Sequence, residues 1–206
     1  MKSKQLIANT APHVHSTALS LIKNEKGKIL DLAAGSGAFL SRLSPLKFNR
    51  FACELDAAKF MLKDIPLKAI NLNGNNWPYE NKEFDVISAI EIIEHLENPW
   101  QLIREIHRMI KKDGILILST PNVINWYSRL RYLINGKFSN FFDEDHKPFP
   151  DHITPIFPKT IEMIIKDKFK IEAVKYNRGR IPFLNINFPT SFSIFGEIAI
   201  YRMRRI

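Results

Sequence analysis

The run Asp31-Leu-Ala-Ala-Gly-Ser-Gly37 is the first place in this sequence where residue types and spacing suggest chemistry. Ala33, Ala34, Gly35, Ser36 and Gly37 carry little or no side chain, so backbone can approach a bound molecule closely there. The apolar residues before them, Ile29 to Leu32, read as a strand that brings Asp31 to its carboxyl end. A helix beginning near Ala38 is expected to follow and to turn its free N–H groups toward the ligand. Further along, Glu54 ends a second strand, Asn71 and Leu72 end a third, and Glu91, Glu94 and His95 follow a fourth. A carboxylate at Glu54 can accept hydrogen bonds from two vicinal ribose hydroxyls. An amide beside an apolar side chain, Asn71 with Leu72, can read an adenine edge and cover its face. Each residue also has a plain alternative: Glu54 as a surface acid beside Asp56, and His95, His146 and His152 as structural or surface histidines.

These residues need a scaffold that gathers strand ends, and the rest of the chain supplies one. The pattern predicts a helix over 16–24, a strand over 28–33, a helix over 38–43 stopped by Pro45, and a strand over 50–54. A helix over 57–63 ends before Pro66, and strands follow over 68–72 and 83–90. Leu102, Ile103, Ile106, Met109 and Ile110 fall on one face of a helix over 100–111, opened by Asn98-Pro99 and closed by Asp113-Gly114. Ile115 to Leu118 is a continuous apolar run, as expected of a strand buried on both faces. A helix over 123–133 leads into 135–158, rich in Phe, Asp, His and Pro, which reads as a long loop or lid. A helix over 160–166 and strands over 168–176 and 193–203 complete the chain. Alternating strands and helices imply an α/β fold with a mostly parallel sheet and helices on both faces. Ligands bind such sheets at the carboxyl ends of the strands, where the order reverses.

Composition sets the bounds. The 206 residues suit a single domain spanning 1–206, and 45% hydrophobic with 25% charged residues is ordinary for a soluble globular protein. One cysteine, Cys53, excludes a disulfide framework and favours the cytoplasm. The N-terminal residues lack the apolar core of a signal peptide, and no apolar run approaches the ~18 residues of a transmembrane segment. The net charge of +9 invites a nucleic-acid partner, but the 30 basic residues are spread along the chain. They read as a solvated surface. The basic tail Tyr201 to Ile206 reads as a strand end.

In order and spacing, five segments resemble the class I S-adenosylmethionine-dependent methyltransferases, of the methyltransferase type 11-like kind. They are Asp31 to Gly37, Phe51-Ala-Cys-Glu-Leu-Asp56, Trp77 to Val86, Glu91-Ile-Ile-Glu-His-Leu-Glu-Asn-Pro99, and Arg108 to Asn122. Together the resemblance covers about residues 15 to 180. It implies a Rossmann-like, seven-stranded, mostly parallel sheet with an antiparallel last strand. It also implies S-adenosyl-L-methionine as cofactor, with Asp31, Ala33, Gly35 and Gly37 holding the methionine portion. Glu54 and Leu55 would hold the ribose, Asn71 and Leu72 the adenine, and Glu91 the methionine end or substrate mouth. Ala33 stands where the family usually has glycine, and Asn71 where aspartate is more frequent, so an amide oxygen would read the adenine amino group.

The reaction asks chiefly for alignment of an acceptor with an already activated methyl group. A general base helps when that acceptor is a hydroxyl or a protonated amine, and His95 and His152 are the candidate catalytic residues, with His146 behind them. No metal ligands are expected. The region 135–158 follows strand five, where this family places its substrate-recognising insertion. Phe138, Phe141, Phe142 and Phe149 are candidates to line an apolar cavity there, with Asp151 as an anchor and Asn122 or Tyr127 at the mouth. The expected partner is a small-molecule acceptor using oxygen or nitrogen. An RNA or other nucleic-acid acceptor, favoured by charge but lacking an Asn-Pro-Pro-Tyr motif, and a non-catalytic cofactor-binding scaffold are the other readings. Oligomeric state is not encoded in any pattern recognised here.

Overall fold

The computed structural model describes residues 6–141, 152–184 and 186–206. Its centre is a seven-stranded sheet. The strands are β1 (Gly27–Leu32), β2 (Phe48–Glu54), β3 (Leu67–Ala69), β4 (Phe84–Ile90), β5 (Ile110–Pro121), β6 (Phe169–Tyr176) and β9 (Ile198–Arg205), in the order β3-β2-β1-β4-β5-β9-β6. β1 pairs in parallel with both β2 and β4, and β5 extends the parallel set from β4. Only β9 runs against its neighbours, inserted between β5 and β6. The order therefore reverses at β1, between β2 and β4, which is where the glycine turn leaves the sheet.

The side-chain period of two sorts each central strand between two cores. Leu30, Leu32, Leu116 and Leu118 face one cluster, completed by helices α2 (Pro99–Met109) and α4 (Pro158–Ile164). Ile29, Val86, Ile115 and Ile117 face the other, which α1 (Val14–Leu21) covers with Val14, Ala18 and Leu21. α2 forms where its pattern predicts: the Asn98 side chain accepts the Gln101 N–H, Pro99 occupies the first turn, and Leu102, Ile103, Ile106 and Met109 are buried.

Several elements differ from expectation. The helices expected over 38–43 and 57–63 are single 3₁₀ turns, Leu40–Arg42 and Ala57–Lys59. Each is too short to repay helix nucleation before its proline, Pro45 or Pro66. No helix N-terminus therefore follows the glycine turn. β5 is longer than its apolar run because it is paired with β4 and β9 together, and its start is bent by Asp113 (φ 61°) and Gly114 at a register shift between Phe84 and Val86. α3 (Trp126–Asn135) begins three residues later than predicted, where the Asn125 side chain accepts the Ser128 N–H. A small hairpin, β7 (Gly179–Ile181) with β8 (Ile186–Phe188), was not legible in the sequence, and the last strand starts at Ile198 instead of Ser193. No helix of the described residues is long and apolar enough to cross a membrane.

Candidate active site

A cavity of about 780 Å³ opens at the carboxyl ends of β1, β2 and β4. That size suits a nucleoside-like ligand. Its floor is the turn after β1. Ala33 takes φ 55° and Gly35 φ 54°, and both line the cavity with Ala34 and Ser36. Left-handed backbone costs alanine about 1–2 kcal/mol, so the rest of the fold must hold Ala33 there. The Ala34 N–H donates to the Cys53 carbonyl at 2.9 Å, and the Gly35 N–H donates to Glu54 Oε2 at 2.8 Å. Two links thus weld the turn to the end of β2.

Glu54 is buried, and its other oxygen accepts the Asp56 N–H at 3.3 Å. Asp31 is buried beneath the turn and accepts the Ser88 hydroxyl at 2.6 Å. Burial pushes its pKa up to about 7; the Ser88 bond opposes this and the Glu54 charge adds to it. Gly37 does not line the cavity. It lies behind the turn at φ 88°, and a Cβ there would come within 2.8 Å of Leu62. Its role is close packing, which corrects its assignment to the ligand. Leu55, Asn71 and Leu72 do line the cavity, but the Asn71 amide oxygen already accepts the Asn73 N–H at 3.0 Å. That bond occupies one lone pair of the oxygen expected to read an adenine.

Glu91 sits at the opposite wall in a left-handed conformation, φ 47°, with its N–H donating to the Ser119 hydroxyl at 3.0 Å. Its carboxylate accepts the Ala11 N–H at 3.3 Å, and burial raises its pKa to about 7; the Ala11 bond opposes the rise and Glu197 adds to it. The N-terminal segment Ile7 to Ala11 therefore straps the mouth, fastened at the other end by the Ser36 hydroxyl donating to the Ile7 carbonyl at 2.7 Å. Sequence reasoning missed this strap, because nothing in five residues of mixed character announces what they cover.

His95 and His152 meet at the far end of the cavity, ring centroids 4.5 Å apart and nearly perpendicular. The backbone explains the meeting. The carbonyl of Glu94 accepts the N–H groups of Ile153 and Thr154 at 2.9 and 3.0 Å, and the Thr154 hydroxyl donates to the Leu96 carbonyl. The side chain of Glu94 is fully buried there, and its pKa is held well above the ordinary carboxylate range by desolvation, with the Glu91 charge adding. Phe141 packs edge-on against His152. Phe138 instead stacks on Tyr132 and meets Phe157, pinning its own loop. Asn122 and Tyr127 are not at the mouth: the Asn122 amide donates to the Ser193 and Gly196 carbonyls, and Tyr127 packs on Trp126 and Phe183. Phe142, His146, Phe149 and Asp151 lie outside the described residues.

The fold and cavity together define an α/β protein whose main cavity opens where the strand order reverses. A family model described as a methyltransferase domain matches residues 8–147, and the chain belongs to that family. Its seven-stranded fold is shared with solved S-adenosylmethionine-dependent methyltransferases. Among solved structures, a SAM-dependent methyltransferase from Archaeoglobus fulgidus superposes with a TM-score of 0.66 at 13% identity, covering 93% of this chain and 94% of that one. The N-methyltransferase NodS from Bradyrhizobium japonicum, in complex with S-adenosyl-L-homocysteine, gives 0.60 at 14% identity, over 93% and 85% of the two chains. In sequence, a ubiquinone biosynthesis O-methyltransferase from Rickettsia bellii is 32% identical over 101 residues, 46% of this chain and 42% of the relative. One from Rickettsia conorii is 25% identical over 156 residues, 73% of this chain and 53% of the relative. The chain thus spans about half the length of these relatives.

Proposed function

We propose that this protein transfers the methyl group of S-adenosylmethionine to a small-molecule acceptor, at oxygen or nitrogen, with oxygen favoured by the O-methyltransferase names of the Rickettsia relatives. One observation carries the proposal. A single cavity joins the glycine turn and Glu54 to the histidine pair, so donor and acceptor subsites are continuous. In this reading Asp31, Ala33 and Gly35 face the methionine portion, Glu54 and Leu55 the ribose, Asn71 and Leu72 the adenine, and Glu91 the methionine end. His95 and His152 are the polar handles for the acceptor.

The sulfonium is already activated, so these residues act mainly by alignment. Holding donor and acceptor in line can supply roughly 7–11 kcal/mol of barrier lowering. The acceptor's lone pair forms the new bond to the methyl carbon while the carbon–sulfur pair returns to sulfur. Glu54 fits the ribose because its carboxylate is fixed from behind by backbone N–H donors at Gly35 and Asp56. The test is calorimetric titration of S-adenosylhomocysteine into wild type and Glu54→Ala. Binding that weakens on substitution supports the assignment, and equal affinity in both removes it.

A further inference from the structure

We propose that Glu94, His95 and His152 form a binding site for a divalent first-row transition-metal ion, Zn²⁺ or Mn²⁺ in type, at the acceptor end of the cavity. One ligand atom from each of the three residues lies within 4.8 Å of the others. Donors sharing an ion at about 2.0–2.2 Å sit roughly 3–3.5 Å apart, so a small side-chain rotation closes the set. The independent observation is Glu94 itself. It is 0% exposed, and among the described residues neither carboxylate oxygen meets a partner in hydrogen-bond geometry. A buried carboxylate without partners is costly unless it is paired, protonated or bound to a metal. The backbone bonds from Ile153 and Thr154 to the Glu94 carbonyl fix His152 beside it.

The chemistry of the donors narrows the ion. Two imidazoles with one carboxylate suit borderline transition ions better than Mg²⁺ or Ca²⁺, which prefer all-oxygen sets. Three protein ligands leave coordination positions open toward the cavity. Resting on the methyl-transfer reading, the ion's task is to hold an acceptor hydroxyl. Coordination makes that hydroxyl more acidic, and its proton leaves to solvent water. The oxygen then forms its bond to the methyl carbon as the carbon–sulfur bond breaks, and the ion keeps its charge throughout.

The test uses the full chain, stripped with EDTA, titrated calorimetrically with ZnCl₂ and separately with MnCl₂. S-adenosylhomocysteine is titrated into the same samples. One equivalent of at least one ion is expected in the wild type, weakened tenfold or more in His152→Ala and in Glu94→Gln, with S-adenosylhomocysteine affinity kept within about threefold. No saturable ion binding in the wild type overturns the site. So does unchanged stoichiometry and affinity in the variants, which would locate the ion on other histidines or Cys53. His95→Gln, a partly exposed position, serves if either variant fails to give a cooperative melt. If the wild type binds the ion but not S-adenosylhomocysteine, the methyl-transfer reading fails and the metal site stands.

Discussion

The two ends of the cavity are built by opposite strategies. The cofactor end comes from turns that follow β1, β2 and β3, each supplying backbone groups or a short side chain at the edge of a parallel sheet. Several of its hydrogen bonds are short in sequence, from residue 35 to residue 54 or from 73 to 71, with Ser88 reaching Asp31 from the neighbouring strand. The end proposed for the acceptor is assembled from Glu94 and His95 after β4, His152 some sixty residues later, and the N-terminal strap that reaches Glu91. Beyond it, α3, the β7–β8 hairpin and the segment after the hairpin expose Leu133, Ile134, Phe183 and Phe192. A donor shared by a whole family can be held by a locally coded turn. The proposed acceptor end, by contrast, needs segments far apart in the chain to be brought together.

The largest effect should come from the buried acid of the cofactor end. Asp31 titrates near 3.8 in an unfolded chain and about 7 in the fold. A raised carboxylate contributes stability that is fully present below about 3.8 and lost as pH rises through about 7. Urea unfolding should therefore show Asp31→Asn gaining on the wild type with rising pH, by up to about 4 kcal/mol at pH 8. A constant difference across pH would show that Asp31 is not buried as described. Since a cationic sulfonium favours the ionised acid, wild-type affinity for S-adenosylmethionine should climb through pH 7.

Next in size is Glu54→Ala. Loss of a carboxylate bonded to charged or polar partners costs about 1.5–3 kcal/mol, so affinity for S-adenosylhomocysteine should fall roughly 10–150-fold. The contrast between the two ends is sharpest in His152→Ala. Turnover should drop about 10–100-fold while cofactor affinity stays within about twofold. A variant that loses both together would erase the distinction between the ends. The smallest effect is expected at Phe192, 69% exposed on the segment after the hairpin. Phe192→Ser should shift stability by no more than about 0.5 kcal/mol and leave cofactor binding unchanged, read from a thermal melt and the same titration.

Much of the fold was legible because its signals are local. Apolar runs at Ile29, Val86 and Ile115 marked strands, and Asn98-Pro99 marked the start of α2. The expected helices over 38–43 and 57–63 failed because a period of one turn cannot separate a helix from a 3₁₀ turn. The hairpin at 179–188 failed because its strands are only three residues each, too short to show a period. At the site, Ala33, Gly35, Glu54, Leu55, Asn71, Leu72 and Glu91 were expected from strand ends and from the family resemblance, and all line the cavity. Gly37 was read from the same motif and lies behind it, since a motif gives residue type and not which atoms face outward. Glu94 was visible beside His95, but its burial was not.

The sequence by itself determined the cofactor end: a strand, a turn of small residues and an acid at the next strand's end are neighbours along the chain or along one parallel register. Tertiary structure alone decided the acceptor end. Whether His152 meets His95, whether Glu94 is sealed from water, and whether residues 7–11 cross the mouth depend on hydrogen bonds between segments far apart in sequence. Those contacts exist only once the sheet has closed and its edges have docked, because desolvation and long-range pairing are properties of the packed molecule.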